Sequence, residues 1–193
     1  MGGPGPDSVT GIPASWLEDT AQGWAGSDAF GGEIPVLTND SCRLGDVLPS
    51  ILDDDPEVTD SGWGSYGEDA TAVDSYRYLC DFWSEGRYAG SLQLIQAADA
   101  ATVEQTLQQF VSQNDTPEQD NTVTTVNAGK LEVHVLKRWY PTNPQGLYEA
   151  MYVDAGKNAA AVLGVNSLDD SDFAEYSDEQ VAEDLLAALA SGS

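Results

Sequence analysis

The sequence predicts an α+β fold: an antiparallel sheet of about five to six strands packed with two to three helices, closed by one disulfide. Three observations carry this expectation. Strand-like stretches follow one another through short turn signals, which joins them as antiparallel neighbours. Apolar residues recur at helical spacing in segments set apart from those strands. Two cysteines, Cys42 and Cys80, fall in different elements that a covalent bridge would staple together.

Along the chain, residues 1–14 are rich in Gly and Pro and are expected to form a flexible N-terminal linker, leaving 15–193 as a single α+β domain. Trp16, Leu17, Trp24, Phe30 and Ile34 make the next stretch too apolar for a linker, and a short helix is expected at Ser15–Gln22. Asn39-Asp40-Ser41 are helix-capping residue types. Leu44, Val47, Leu48, Ile51 and Leu52 then follow at helical spacing, so a helix opened by Cys42 is expected, kinked or divided by Pro49. Residues 53–75 are acidic and punctuated by Pro56 and Gly62-Trp63-Gly64; they read as a long loop with room for a short strand near Val58.

Alternation then sets in. Tyr76, Tyr78, Cys80 and Phe82 share one strand face, while Arg77 and Asp81 share the other with Leu79 and Trp83. The turn Ser84–Arg87 leads into a second strand, Tyr88–Ala97, with Leu92 and Leu94 facing inward. Asp99 can cap a helix whose Val103, Leu107, Phe110 and Val111 form an amphipathic stripe. Strands are expected at Thr122–Val126, Lys130–Tyr140, Leu147–Val153 and Asn158–Val165, with turns at Asn127-Ala128-Gly129, Pro141–Gly146 and Asp154–Lys157. Ser177-Asp178-Glu179-Gln180 is a capping box that opens a last helix carrying Val181, Leu185 and Leu189.

Charge bounds the partners. Seven Lys and Arg face 33 Asp and Glu, a formal net charge of −26. Such a surface repels nucleic-acid phosphates and anionic lipid headgroups. It suits solubility or high salt, and it attracts cations and basic protein surfaces. No apolar run is long enough to span a membrane.

Chemistry-bearing motifs are sparse. The cysteines lack C-x-x-C spacing, and His134 is the single histidine, so a zinc site has too few ligands. The alternatives for Cys42 and Cys80 are two buried thiols or a disulfide; the disulfide is favoured because it links a helix start to a strand, and it implies an oxidising compartment. His134 lies opposite the apolar face of Leu131, Val133 and Val135, with no G-x-S-x-G motif to accompany it. The acidic clusters Asp53–Glu57 and Asp169–Asp172 do not have the residue placement of a calcium loop and read as solvated loops or helix-end charges. Neither Gly31-Gly32 nor Gly62-Trp63-Gly64 has the context of a phosphate-cradling loop, so no cofactor is expected. Trp63 and Tyr66, in the expected acidic loop, and Trp139 and Tyr140, at a strand end, are the candidate ligand or partner contacts.

Cys42-Arg43-Leu44 opening a helix, Cys80-Asp81-Phe82-Trp83 in a strand, and the order of hairpin, central amphipathic helix and Ala/Leu-rich last helix together resemble the small secreted lipoproteins of actinobacteria, especially the DUF3558-like group. Ser41 and Gly45-Asp46 depart from the Pro and Thr-Pro pattern at the start of that group's first helix. The resemblance implies a secreted or lipid-anchored domain outside the cytoplasmic membrane, and no catalytic residues. Met1–Pro6 reads as a start placed before a mature linker from which a signal or lipid anchor has been removed. Three functions are therefore in view: a non-enzymatic cell-envelope domain binding a protein, lipid or small ligand; an acidic hydrolase with a carboxylate or calcium site; and an acidic inhibitor or sensor of a basic partner.

Overall fold

The computed structural model describes residues 9–17, 42, 44, 45, 47–52, 57–67 and 73–192. Within them, seven strands form one antiparallel sheet: β1 (Glu57–Gly67), β2 (Val73–Ser84), β3 (Arg87–Ala97), β4 (Asp120–Ala128), β5 (Leu131–Tyr140), β6 (Gln145–Asp154) and β7 (Ala159–Leu168). The helices are α1 (Ala100–Val111), α2 (Asp170–Glu175) and α3 (Asp178–Ser191), with a helical turn at 14–17. The spatial order is β1-β2-β3-β7-β6-β5-β4. Two meanders thus meet along β3 and β7, and α1 carries the chain from one to the other.

The expected α+β architecture is therefore present, with β1 as one strand more than expected. β1 pairs with β2 across register shifts between Asp60 and Gly62 and between Tyr66 and Gly67. Such bulges interrupt the two-residue period, and the glycines lower strand propensity, so the segment reads locally as a loop.

Strand alternation sorts the rest of the sheet into two faces. Tyr78, Cys80, Phe82, Leu92, Leu94, Val133, Val135, Tyr148 and Leu163 pack with Val181, Leu185, Leu186 and Leu189 of α3. On the opposite face, Ile95, Ala97, Leu136, Met151, Ala160 and Val162 pack with Val103 and Phe110 of α1. Both helices start on the expected caps. The Asp99 carboxylate accepts from the Thr102 amide at 2.8 Å, and Ser177 and Gln180 form the reciprocal capping box.

Two expectations near the N-terminus change. Val9 and Ile12, inside the stretch read as linker, are buried against the α3 side of the sheet. The Ile12 amide donates to Asp154 Oδ2 at 3.2 Å, and Lys157 Nζ donates to the Ile12 carbonyl at 2.5 Å. Apolar anchors here outweigh the flexibility that Gly and Pro suggest. The helix expected at Ser15–Gln22 is helical over the residues described, 14–17, and its remainder lies outside the described residues, as do Trp24, Phe30 and Ile34.

The helix opened by Cys42 is replaced, among the described residues, by two separate turns. The Gly45 amide donates to the Cys42 carbonyl at 3.3 Å and the Leu52 amide to the Pro49 carbonyl at 3.1 Å. Gly45 has φ +106, a left-handed conformation that ends any helix there, and Pro49 has no amide hydrogen to continue one. The apolar spacing is nonetheless used: Leu44 is buried, and Val47, Leu48, Ile51 and Leu52 pack on the core. Cys42 and Cys80 form the expected disulfide, with Cα atoms 5.4 Å apart. It staples this turn to β2, the second strand, rather than a helix to the first.

Candidate functional site

Among the described residues, α1 rests on β3, β7, β6 and β5, on the sheet face opposite α3. Strand register sets out what lies there. Asp81, Ser91, Gly164, Glu149 and Leu136 align in one row across β2, β3, β7, β6 and β5. The next row holds Leu79, Gln93, Val162, Met151 and His134. Ser91 is buried in this face and Glu149 partly so, among the apolar residues Leu136, Val162 and Met151 that pack with α1.

Between α1 and this surface is a cleft of about 270 Å³. Thr106, Gln109 and Gln113 line it from the α1 side, and Arg77, Gln93 and Glu149 from the sheet. Its floor is apolar, made by Ile95, Phe110, Met151 and Val162. The Gln93 side-chain amide donates to Ser91 Oγ at 3.0 Å.

Glu149 has the most perturbed carboxyl here. Burial pushes it above the usual carboxylate range, and the nearby positive charges of Arg138 and Arg77 only partly oppose that. Gly164, its cross-strand neighbour, has no side chain, and a methyl group placed there would lie 3.8 Å from Glu149 Cγ. A larger side chain would crowd the carboxyl.

Arg138 does not line the cleft but holds its wall. Nε donates to Asn121 Oδ1 at 2.8 Å, Nη1 donates to the Tyr140 hydroxyl at 3.3 Å, and Nη2 donates to Gln113 Oε1. Tyr140 in turn borders a second, smaller hollow of about 220 Å³ with Tyr88, Gln145, Leu147 and Asn166. Tyr88 is 38% exposed and meets Trp83 edge-to-face at 5.8 Å. Burial raises its phenol above the ordinary value; the Asp81 and Glu149 carboxylates push the same way, while Ser91 and Asn166 at the hydroxyl oppose it.

The four aromatic candidates are not brought together. Tyr140 borders the second hollow, whereas Trp139, one residue earlier, points to the opposite face and packs on Phe173 of α2 at 4.9 Å. Trp63 and Tyr66 lie not in a loop but in the edge strand β1, in register with Tyr78 and Ser75. His134 sits away from the cleft lining, with Nδ1 3.2 Å from Thr125 Oγ1 and Nε2 3.7 Å from Glu132. Asp169 caps α2 by accepting from the Ser171 and Asp172 amides, and these bonds hold its carboxyl below the usual range. In the other acidic cluster, residues 53–56 lie outside the described residues and Glu57 opens β1.

The cleft residues Gln93, Glu149, Gln109 and Gln113 were not singled out by sequence reasoning. The available signal was an acid or amide flanked by apolar residues within a strand, as Gln93 is between Leu92 and Leu94 and Glu149 is between Tyr148 and Ala150. Among the described residues, no three His, Cys, Asp or Glu side chains converge as a metal site requires, and no helix is long and apolar enough to cross a membrane. No protein-family model matches the chain, and no curated protein or solved structure matches it either.

Proposed function

We propose that this chain is a non-enzymatic domain of the cell envelope that binds a small polar ligand in the cleft between α1 and the sheet. The observation that carries the reading is the cleft's composition: an apolar floor beneath a rim of three glutamines, Arg77 and Glu149, held on α1, the segment just after it, and strands β2, β3 and β6. Binding sites combine an apolar body with a few placed polar groups in this way, and rigid elements keep those groups in position. The location is supported by the Cys42–Cys80 disulfide, a bond that persists in oxidising compartments. It is supported also by the resemblance to the DUF3558-like secreted lipoproteins, which rests on the cysteines and the order of elements. An N-terminal lipid anchor belongs to the same proposal.

The test of the site is an NMR titration with a panel of small polar molecules, following the side-chain amides of Gln93, Gln109 and Gln113. A bound ligand shifts these signals together; ligands that perturb only other surfaces count against the cleft. The location is tested by fractionating cells that make the full-length protein. Recovery from the cytosol with both cysteines reduced would overturn it.

A further inference from the structure

We infer that the ligand of the cleft is a neutral, sugar-sized polyol, bound through hydroxyl groups by Gln93, Gln113, Arg77 and Glu149 with its C–H face on Phe110 and Met151. The inference rests on the cleft being the binding site and adds the chemistry of what fills it.

Charge is the first argument. A chain of net charge −26 repels small anions at long range. Within the cleft, one arginine and one carboxyl line the rim, so their charges offset one another. An anion would gain Arg77 but meet Glu149. A cation would gain Glu149 but meet Arg77, with Arg138 held behind the wall by its bond to Gln113. A neutral ligand meets neither conflict.

Hydrogen-bond chemistry is the second. A carboxamide offers both donors and acceptors on one side chain, and a hydroxyl is also both. Three glutamines on one small rim therefore match a ligand with several hydroxyls better than one with a single charged group. The guanidinium adds donors and the carboxyl adds acceptors at the same rim.

Shape is the third. The volume of about 270 Å³ lies near the lower end of small-molecule sites and suits one ring rather than a chain of them. A sugar ring is polar around its edge and less polar on its C–H face. The cleft has the same distribution, with an apolar floor and a polar rim.

The test is titration of the full chain with neutral monosaccharides and, in parallel, with phosphate, acetate, glycine and methylammonium. The readouts are the glutamine side-chain amide signals and calorimetry. At least one neutral sugar is expected to shift the cleft signals, and none of the charged probes is expected to do so more strongly. Glu149→Gln and Gln93→Leu are each expected to weaken that sugar about tenfold, the loss of roughly one strong hydrogen bond. A charged probe that saturates the cleft while sugars do not would overturn the polyol assignment and leave the cleft standing as the site. Sugars that bind but shift only signals remote from α1 would overturn the cleft itself. Absence of binding by every sugar, with the protein folded by its amide spectrum, would also overturn the assignment.

Discussion

The Arg138 guanidinium donates to the Gln113 carboxamide and so fixes the segment just beyond α1 to strand β5. Its other acceptors, Asn121 and Tyr140, are neutral as well. In a chain with 33 acidic residues, this arginine is oriented by amide and hydroxyl oxygens, with no carboxylate among the described residues within ion-pair distance. The fork of the guanidinium is therefore what the site uses, since one planar group reaches three acceptors at once. Arg138→Leu is expected to cost about 2 kcal/mol by chemical denaturation, the net value of a few hydrogen bonds to a charged donor. Arg138→Lys is expected to recover little of it. A lysine variant as stable as the parent would show that charge, not geometry, is what matters here.

Glu149 gives the protein a pH dependence of known sign. Its carboxyl is raised in the folded state by burial, so between its unfolded and folded titration ranges the native protein holds more protons than the unfolded chain. Stability contributed by this group is then full at acid pH and falls as pH rises through the folded value. Glu149→Gln removes that loss. The variant is expected to be more stable than the parent at neutral pH, with the difference shrinking toward pH 4. Thermal melts of both proteins across that range check it; a difference that grows on acidification would reverse the assignment.

Asp184 of α3 joins three elements. It accepts from the Tyr176 hydroxyl at 2.5 Å and from both the Ser50 amide and hydroxyl at 2.9 Å. Tyr176 is buried, and its carbonyl takes the Tyr148 hydroxyl at 2.7 Å. Burial and the Asp184 charge hold the Tyr176 phenol protonated well above the ordinary range, so it remains a donor at any working pH. Asp184→Ala leaves the buried Tyr176 hydroxyl and the Ser50 amide and hydroxyl without this acceptor. A loss of about 2 kcal/mol is expected, with Asp184→Asn intermediate. Equal stability of the alanine variant would mean that water replaces the carboxylate at no cost.

The disulfide closes a loop with a sequence separation of 38. In the chain-entropy account, a loop of this size contributes about 3–4 kcal/mol by restricting the unfolded chain. Cys42→Ala with Cys80→Ala is expected to lower stability by that amount. It should leave the β4–β7 meander, which the bridge does not touch, the last part to unfold. Hydrogen exchange resolves this: uniform loss of protection across the sheet would argue that the two meanders unfold as one unit.

The sequence made some of this legible and not the rest, for physical reasons. Tyr78, Cys80 and Phe82, and likewise Leu131, Val133 and Val135, alternate with less buried residues because in these stretches one face meets the α3-side core. The capping box at Ser177 is a local device that needs no tertiary context. β1 was hidden because its register shifts fall beside Gly62 and Gly67. The stretch from Cys42 imitated a helix because a turn-rich segment lying on a core also presents apolar residues three and four apart, and there Gly45 and Pro49 were the truer signals. Trp139 looked exposed because its cover, Phe173, comes from α2, a helix opened by an acidic run. Gln93 and Glu149 could not be ranked as site residues, since their meaning depends on where α1 lies on the sheet, a fact no local pattern carries.

Two glycines of the β2–β3 hairpin separate backbone strain from packing. Gly86 in the turn has φ +74 and Gly90 in β3 has φ +151, both in the range that disfavours side chains. A Cβ on Gly86 meets nothing within 4 Å, whereas one on Gly90 would stand 2.1 Å from the Gly164 carbonyl oxygen of β7. That atom is backbone, so the contact is relieved only by moving the strand that carries Gly164 beside Glu149. Gly86→Ala is expected to cost about 1–2 kcal/mol, the ordinary price of a left-handed alanine. Gly90→Ala is expected to cost clearly more and to disturb the Glu149 signals as well. Denaturation of the two variants, with the amide spectrum of the cleft recorded for each, decides it. Equal costs and an unchanged spectrum would show that β3 and β7 part without effect on the site.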